Sequence, residues 1–434
     1  MKKILLPLIL FLLFISKSNA QAPDWLWAKG LGGSHSGVSK SMTSDEKGNI
    51  YIVGVFGGAF GGSFDFDPGI GIQNLTSNGI YDIFISKYDS SGNLFWAKSM
   101  GGIGYDFPLT IGLDMYGNIY FAGYFEDTVD FDPGGATFNL ISNGYEDMFI
   151  SKIDSNGNFI WAKQIGGSGY DEITSIYVNN FGDVFLTGFF TGAVDFDTGT
   201  GIFNVTSIGY SDIFISKLDN TGNLVWVKNI GGTYNNAGTA ITLDSAGNIY
   251  TTGNFVDTVD FDPGIGVYNL ISLSTTGGSD MFLYKSDNSG NFIWAKSFGG
   301  SGSLGPLSIA LDDFGNVLTT GWLLGSVDFD PDTSYFGLVS TVNRDIFISK
   351  LDNNGDFVWA KPFTGGGYDM AYSIQIDALG SVYTTGVFWG TVDFDPGVGV
   401  YNVTSLGNRD MYISKLSSAG NFAWVKSMGG SNTD

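Results

Sequence analysis

The chain of 434 residues contains no cysteine and a single histidine, His35. Without cysteine there is neither a disulfide framework nor a thiolate metal site. One histidine leaves a serine or cysteine nucleophile with only one base of the usual kind. Because His35 lies in a Gly/Ser stretch, we expect no catalytic role for it, and nucleophilic catalysis by a Ser-His or Cys-His pair is disfavoured.

Basic residues are also scarce. The 20 lysines and arginines face 43 aspartates and glutamates, which gives a formal net charge of −23 at pH 7. A surface this acidic repels nucleic acid and anionic membranes and attracts cations. The charge therefore argues against a nucleic-acid partner.

Long apolar runs are absent apart from one at the start of the chain. Residues 1–20 combine Lys2 and Lys3, an apolar stretch over 4–15 that is too short to span a membrane, and a small-residue cleavage site at 18–20. This pattern predicts a signal peptide, with a mature start near Gln21. No cysteine follows for lipid attachment, so we expect a protein that is secreted or displayed at the cell surface.

Glycine and aromatic residues are abundant, and a tryptophan recurs every 65 to 69 residues in a Trp-Ala/Val-Lys context. The repeated tryptophans are Trp27, Trp96, Trp161, Trp226, Trp294, Trp359 and Trp424. Glycine and aromatics in this abundance are typical of short strands and tight turns. A unit of this length suits one four-stranded propeller blade with an insertion, and we expect each indole to lie between neighbouring blades.

The unit at residues 101–166 predicts four strands, A to D. They are expected at about 109–114, 119–125, 147–154 and 159–165. Asp-x-x-Gly-Asn turns join A to B and C to D, because Asp accepts hydrogen bonds from the turn and Gly takes a positive φ. The predicted fold is an all-β propeller of four-stranded antiparallel blades following the signal peptide at 1–20. Its six repeats lie roughly at 32–100, 101–165, 166–230, 231–298, 299–363 and 364–428, with a closing strand at 24–31. We further expect a seventh blade, completed by strands that follow Asp434.

The phrase at residues 244–253, DSAGNIYTTG, resembles the core of the seven-bladed beta-propeller repeat (SBBP) family. The resemblance covers residues 24–434 and implies secretion and a propeller fold, but no reaction. A weaker likeness to quinoprotein-type propellers rests on residues 219–226, DNTGNLVW.

A repeated insert between strands B and C carries paired aspartates, as in TVDFDPGIGVYNL at 258–270. Val259 and Phe261 are expected to point inward, so that Asp260 and Asp262 point outward together. Such a pair could bind Ca²⁺, or it could keep an edge strand soluble and order the turn. The pairs are Asp65/Asp67, Asp130/Asp132, Asp195/Asp197, Asp260/Asp262, Asp328/Asp330 and Asp393/Asp395.

The B–C inserts and the D–A loops should share one face, which makes that face the expected binding surface. The D–A loops carry aromatic residues, three of them followed by aspartate: Tyr105, Asp106, Tyr170, Asp171, Tyr234, Tyr368 and Asp369. Such residues could stack on sugars or anchor a protein partner. Alternatively, each tyrosine packs on the next blade's insert.

The sequence argues against an enzymatic function. The two arginines, Arg344 and Arg409, are one too few for the clamp of a sialidase. Paired-carboxylate glycoside hydrolysis needs acids that break the repeat, and we expect none. The sequence contains neither a phosphate-binding loop nor a convincing dinucleotide fingerprint. It also carries no signal for a cavity that would hold a quinone cofactor. The sequence therefore predicts a non-enzymatic scaffold or binding module for a protein or glycan. The alternatives are a quinoprotein-like or glycan-acting enzyme and a calcium-stabilised surface protein.

Overall fold

The computed structural model describes residues 23–24, 26–33, 36–58, 62–274, 277–332, 334–340 and 342–432. Within these ranges the regular structure is all β, as predicted. The proposed signal peptide, His35 and Asp434 lie outside the described residues. Six antiparallel four-stranded units follow one another along the chain, and we call them blades 1 to 6.

Each blade is built from strands A to D, paired in that order. The A strands are β2 (Ser36–Ser44), β8 (Asp106–Leu113), β14 (Glu172–Val178), β20 (Ala237–Leu243), β26 (Ser303–Leu311) and β32 (Met370–Ile376). The B strands are β3 (Ile50–Gly57), β9 (Ile119–Phe125), β15 (Val184–Phe190), β21 (Ile249–Phe255), β27 (Val317–Leu324) and β33 (Val382–Phe388). The C strands are β6 (Tyr81–Tyr88), β12 (Asp147–Ile153), β18 (Asp212–Leu218), β24 (Asp280–Ser286), β30 (Asp345–Leu351) and β36 (Asp410–Leu416). The D strands are β7 (Leu94–Met100), β13 (Phe159–Gly167), β19 (Leu224–Ile230), β25 (Phe292–Phe298), β31 (Phe357–Gly365) and β37 (Phe422–Met428).

Between strands B and C, every blade carries a short insert hairpin. The hairpins are β4 (Ser63–Asp65) with β5 (Asn74–Thr76), β10 (Thr128–Asp130) with β11 (Asn139–Ile141), β16 (Ala193–Asp195) with β17 (Asn204–Thr206), β22 (Thr258–Asp260) with β23 (Asn269–Ile271), β28 (Ser326–Asp328) with β29 (Gly337–Val339), and β34 (Thr391–Asp393) with β35 (Asn402–Thr404). The remaining strand is β1 (Gly32–Gly33), which pairs with β4.

The strand positions differ from the sequence expectation mainly at strand A. In blade 2, strand A begins at Asp106, earlier than expected, and a bulge between Pro108 and Thr110 shifts its register against strand B. A bulge adds one residue that no local turn signal marks. Strand D of blade 2 extends to Gly167 because its end pairs with the insert of blade 3.

The Asp-x-x-Gly-Asn turns close the hairpins as their chemistry requires. Asp114 Oδ1 accepts the N–H groups of Tyr116 and Asn118, both at 2.9 Å. Gly117 has a φ of 77°, which glycine adopts at no steric cost. These minimal turns leave the A–B and C–D ends of all six blades nearly alike.

The hydrophobic core lies between adjacent blades rather than inside any one of them. Ile83 and Ile85 of blade 1, for example, pack against Ile111, Phe121 and Phe149 of blade 2. Full burial of one such side chain contributes roughly 1.5–3 kcal/mol. The repeated tryptophans Trp96, Trp161, Trp226, Trp294 and Trp359 lie at these interfaces and are partly buried. In Trp96, Trp226 and Trp359 the indole N–H reaches the next blade's C–D turn, and Trp96 Nε1 donates to the carbonyl of Ser155 at 3.4 Å.

The six blades pack in an open series. Each A strand packs on the next, from β2 through β8, β14, β20 and β26 to β32. Within the described ranges, β32 does not pack on β2 in the same way. Blades 1 and 6 therefore each leave one sheet face without a neighbouring blade.

Candidate binding face

The insert hairpins and the D–A loops lie side by side on one face. Gly166 and Gly167 of the D–A loop after blade 2 pair with Asp195 and Val194 of the insert of blade 3. The same contact recurs after blade 5, and as isolated bridges after blades 1 and 4. We call the surface formed by these inserts and loops the insert-bearing face.

The first aspartate of each pair ties the two sides of its insert together. Asp260 Oδ1 accepts the N–H groups of Asp262 at 3.0 Å and Tyr268 at 2.8 Å. Val259 and Phe261 are fully buried, as their alternation indicated. The same two bonds to the first aspartate recur at Asp65, Asp130, Asp195, Asp328 and Asp393.

The second aspartate of each pair orders the turn that follows it. Its Oδ1 accepts the backbone N–H of the residue two positions further along the chain, in the manner of an Asx turn. The distances are 2.7 Å at Asp67, 2.7 Å at Asp132, 2.7 Å at Asp197, 2.8 Å at Asp262, 3.1 Å at Asp330 and 2.9 Å at Asp395. In every insert, both predicted ligands thus already bind backbone through one carboxylate oxygen.

These bonds bear on the calcium hypothesis. Among the described residues, no group of three or more Asp, Glu, His or Cys side chains is placed to hold a metal ion. The twelve aspartates predicted as ligands therefore do not gather into a metal centre of acidic side chains, because each insert brings only its own two together. They are Asp65 with Asp67, Asp130 with Asp132, Asp195 with Asp197, Asp260 with Asp262, Asp328 with Asp330, and Asp393 with Asp395.

An ion at an insert would need oxygen ligands from elsewhere. Calcium takes six to eight of them, so backbone carbonyls and water would have to complete the site around an aspartate pair. The hydrogen bonds instead support the alternative role, in which the carboxylates order the turn. Calcium binding at the inserts stays a prediction.

A cleft separates the inserts of blades 2 and 3. It has a volume of about 470 Å³, and its lining includes Phe138, Gln164, Asp195, Asp197 and Thr200. In the insert of blade 3, Thr198 replaces the proline that follows the second aspartate of the pair. Thr198 Oγ1 donates to the carbonyl of Gly222 at 2.6 Å, so the hydroxyl anchors the turn to the C–D turn of blade 3.

The aspartates of the D–A loops are buried and bind backbone. Asp106 Oδ2 accepts the N–H of Gly102 at 2.8 Å, and Asp369 Oδ1 accepts that of Trp389 at 2.8 Å. Asp171 accepts the N–H groups of Gly167 at 3.0 Å and Thr191 at 2.9 Å. All three side chains are 0% exposed, so these members of the predicted partner-binding set hold the loops in place instead of facing solvent.

Burial raises the pKa of these carboxyls strongly. The pKa of Asp106 rises to about 8, because burial disfavours the charged form and the Asp82 carboxylate adds repulsion. The pKa values of Asp171 and Asp369 rise to about 7 for the same two reasons, with Asp147 and Asp345 as the neighbouring carboxyls. Each of these three junctions thus brings together two carboxyls that are distant in sequence.

An aspartate near the start of strand C explains the glycine near the end of strand D. Asp82 lies directly against Gly101, and Asp147 lies against Gly166, so closely that a Cβ atom on either glycine would clash with the carboxylate. Glycine at positions 101 and 166 is thus a packing requirement.

The tyrosines of the D–A loops lie half-exposed. Tyr105, Tyr170, Tyr234 and Tyr368 expose between 40% and 49% of their surface. Tyr170 stacks on Tyr145, with ring centroids 5.0 Å apart and planes inclined by 5°. Tyr234 and Tyr210 line a second cavity, of about 290 Å³. These rings therefore keep part of their surface open to solvent while the rest packs on the protein.

Three glutamates meet between blades 2 and 3. The chain has only four, and Glu126, Glu146 and Glu172 all raise the pKa of the Tyr124 phenol, whose burial is the larger cause. Burial and the neighbouring Glu146 raise the pKa of Glu172 to about 7. All three glutamates are half-buried.

The corresponding positions differ in the other blades. Arg344 and Arg409 occupy in blades 5 and 6 the position that Glu146 holds in blade 2, directly before the first aspartate of strand C. The guanidinium of Arg344 lies 3.8 Å from the ring centroid of Trp322, which takes the place of Tyr124. We call these positions, near the ends of strands A, B and C on the insert-bearing face, the variable rim.

The variable rim corrects one sequence expectation. Acids do stand apart from the repeat, because glutamates occur at the rim of only one junction. Their signal was present in the sequence: comparing the six repeats position by position shows glutamate at 126, 146 and 172, where other copies carry different residue types. What the sequence could not show is that these three positions face one another.

Comparisons with known proteins support the fold. No family model matches the chain. It is similar to the "Uncharacterized WD repeat-containing protein L264" of Acanthamoeba polyphaga mimivirus, with 23% identity over 92% of this chain and 34% of that protein. It is also similar to the "Regulatory protein FlaEY" of Caulobacter vibrioides, with 26% identity over 38% of this chain and 16% of that protein.

A solved structure of a protein of unknown function from Bacteroides caccae covers 80% of this chain and 93% of its own, at 12% identity and a TM-score of 0.38. The chain spans about a third and a sixth of the length of the two curated relatives it matches. Together with the four-stranded blades, the WD-repeat relative places the chain among β-propeller repeat proteins. Across the described ranges, no helix is long and apolar enough to cross a membrane.

Proposed function

We propose that this protein is a non-enzymatic propeller scaffold, secreted or displayed at the cell surface, that binds a protein or glycan through its insert-bearing face. The variable rim carries this proposal. The Asp-x-x-Gly-Asn turns and the core are nearly the same in all six blades, whereas the rim holds three of the four glutamates and both arginines, beside the half-exposed tyrosines of the D–A loops. A scaffold that repeats everywhere except on one surface uses that surface for recognition.

The chemistry of the rim suits a partner with hydroxyl or cationic groups. Stacked, half-exposed tyrosines such as Tyr145 and Tyr170 offer flat apolar area, and Glu146 and Glu172 beside them accept hydrogen bonds. The overall negative charge supports the exclusion of nucleic acid. Membership of the SBBP family is part of the same proposal and is supported by the recurring Asp-x-x-Gly-Asn phrase.

The test uses two triple variants with equal numbers of exposed aromatics removed. One replaces Tyr105, Tyr170 and Tyr368 by Ala on the insert-bearing face. The control replaces Tyr116, Phe181 and Phe314 by Ala, which lie in the A–B turns on the opposite face and are also exposed. Binding to a glycan array and to extracellular protein extracts should fall about tenfold or more in the first variant only. Undiminished binding by the first variant rejects this face.

A glycan-acting enzyme is the second candidate, because a carboxyl with a raised pKa lies near another carboxyl. Glu172, with a pKa of about 7, could serve as a general acid, and Glu146 as its partner. Hydrolysis of a glycan that is lost in both Glu146→Gln and Glu172→Gln, with binding retained, would establish this function. Retained binding without hydrolysis in the wild type supports the scaffold. The quinoprotein-like and calcium-stabilised alternatives stay predictions.

A further inference from the structure

The junction between blades 5 and 6 carries aromatic and charged residues that the repeat does not explain. Seven of the ten tryptophans mark the repeat, and the other three are Trp25, Trp322 and Trp389. Trp322 lies in strand B of blade 5, and Trp389 directly follows strand B of blade 6. Arg344, one of only two arginines, directly precedes strand C of blade 5. Two blades that share a junction thus supply an arginine and two additional tryptophans.

A glycine makes room for the first of these tryptophans. Gly305 in strand A pairs with Trp322 in strand B, and a Cβ atom at Gly305 would clash with the indole ring. The guanidinium carbon of Arg344 lies over that ring, 3.8 Å from its centroid, and Nη1 of Arg344 lies 3.8 Å from Sδ of Met370. Cation–π attraction to the indole therefore restrains the guanidinium before any ligand arrives.

Backbone hydrogen bonds hold the other members of the junction around Asp369. The N–H of Asp369 donates to the carbonyl of Arg344 at 3.0 Å, and Asp369 Oδ1 accepts the N–H of Trp389 at 2.8 Å. Tyr368 directly precedes Asp369, and Gly367 packs against Trp389 so closely that a Cβ atom there would clash. Arg344, Tyr368 and Trp389 are thus brought together by the fold.

Arg344 has no carboxylate partner within the described ranges. The five ion pairs found there all use lysine. Asp345 and Asp369, which come closest through the backbone, are buried and accept the N–H groups of Gly365 at 3.0 Å and Trp389 at 2.8 Å. None of the four glutamates of the chain belongs to blades 5 and 6. A guanidinium left in this state can bind an external carboxylate with two parallel hydrogen bonds.

The surface around this cation is aromatic and partly open. Tyr368 is 44% exposed and Trp389 is 42% exposed, whereas Trp322 and Arg344 are half-buried. Rings open to solvent offer flat apolar faces, which suit the face of a sugar ring. The side chain of a protein partner would instead be anchored in a well-packed pocket. The net charge of −23 repels polyanions, so one arginine suits a ligand with a single carboxylate.

We propose that the junction of blades 5 and 6 binds the end of a glycan that carries one carboxylated sugar, such as a uronic acid. Tyr368 and Trp389 lie against the sugar ring, Arg344 binds the carboxylate, and Trp322 positions the guanidinium. This inference rests on the proposed function, because it assigns the glycan class and the part of the insert-bearing face that binds it.

The experiment measures affinities for glycans in matched pairs that differ only in the last sugar, glucuronate against glucose and galacturonate against galactose. The wild type should prefer the carboxylated member, and Arg344→Gln should weaken its binding about tenfold or more while leaving the neutral member unchanged. Arg409→Gln, at the same position of blade 6, is the matched control and should keep the preference.

A second pair of variants tests the aromatic contacts. Trp389→Ala should weaken the binding of both members about threefold or more, because the stacking face is lost for each. Tyr170→Ala, which removes the equivalent of Tyr368 at the junction of blades 2 and 3, should change neither. Circular dichroism confirms that each variant is folded. An effect of Tyr170→Ala equal to that of Trp389→Ala would overturn the assignment to blades 5 and 6.

The outcomes separate this inference from the proposed function. If the triple tyrosine variant loses glycan binding while the wild type shows no preference for carboxylated members, or a preference that Arg344→Gln leaves intact, the inference fails and the proposed function stands. If neither the triple variant nor Arg344→Gln changes binding, both fail. A blocked peptide with a single aspartate between glycines serves as a further probe. Binding of this peptide more tightly than any carboxylated glycan would overturn the sugar assignment.

Discussion

Buried carboxyls between the blades should make this protein more stable at about pH 5 than at pH 8. Burial raises the pKa of each, and the neighbouring carboxyl contributes in three of them. The pKa values are about 8 for Asp106, about 7 for Asp171 and Asp369, and about 6 for Asp82 and Asp345. In the unfolded chain these aspartates would titrate near pH 3.9.

The sign follows from proton binding. Above about pH 4 the unfolded chain has lost these protons while the folded protein still holds them, so the folded state binds more protons. The stabilisation is complete below pH 4 and is lost as the pH rises through 6 to 8. Each carboxyl that stays protonated only in the folded state changes the free energy of unfolding by about 1.4 kcal/mol per pH unit. With the entropy of unfolding typical of a chain this long, that is about 2 °C in Tm per pH unit.

The assay is a set of thermal melts from pH 5 to 8 on the wild type and on a variant with Asp106→Asn, Asp171→Asn and Asp369→Asn. Blade 4 shows that asparagine fits this site, because Asn236 occupies the position that Asp106, Asp171 and Asp369 hold in the other blades. Its Oδ1 accepts the N–H of Val256 at 3.2 Å, and its Nδ2 donates to the carbonyl of Tyr234 at 3.0 Å. Asparagine can thus hold the loop without a titrating proton.

The wild-type Tm should fall by roughly 5 °C per pH unit from these three carboxyls between about pH 5 and 6.5. The triple variant should lose most of that slope. Asp130→Asn, at a solvent-facing insert, is the matched control and should keep it. A wild-type Tm that is flat or rises with pH, or a slope unchanged in the triple variant, would refute the reasoning.

The remaining predictions concern the inserts and the Gly-Gly pair. Gly166→Ala should destabilise the protein by about 1–3 kcal/mol, because the new methyl group meets the Asp147 carboxylate, whereas Gly135→Ala, with nothing within 4 Å, should change stability by less than about 0.5 kcal/mol. Denaturant unfolding measures both, and equal effects would contradict the packing argument. Phe261→Ala should cost about 3–5 kcal/mol and speed hydrogen exchange in the insert of blade 4, since the ring is fully buried between Phe255 and Phe282; slow exchange in the variant would show that other contacts hold the insert. The calcium hypothesis predicts a Tm that rises with Ca²⁺, falls with chelator and loses this response when the six aspartate pairs are replaced by asparagine; a Tm indifferent to Ca²⁺ rejects it.

Local chemistry in the sequence determined the repeat and most of its strands. The period of the tryptophans, the Asp-x-x-Gly-Asn turns and the alternation in each strand act within a few residues, so they can be read without the fold. The inward direction of Val259 and Phe261 follows from the two-residue period of a strand, and the structure buries both completely. The bulge in strand A was not predicted, because it depends on how strand A pairs with strand B.

Only the tertiary structure decided which distant residues meet. Asp82 in strand C of blade 1 and Asp106 in strand A of blade 2 are brought together against Gly101 and Gly102. This contact buries the Asp106 carboxyl, which the sequence suggested would face a partner. Glu126, Glu146 and Glu172 converge because the ends of two blades meet at one junction. The exposure of Met42 and Met411 depends on which blades have neighbours, and no single repeat carries that information. Contacts within a repeat are set by residues a few positions apart, whereas contacts between repeats depend on how whole blades pack.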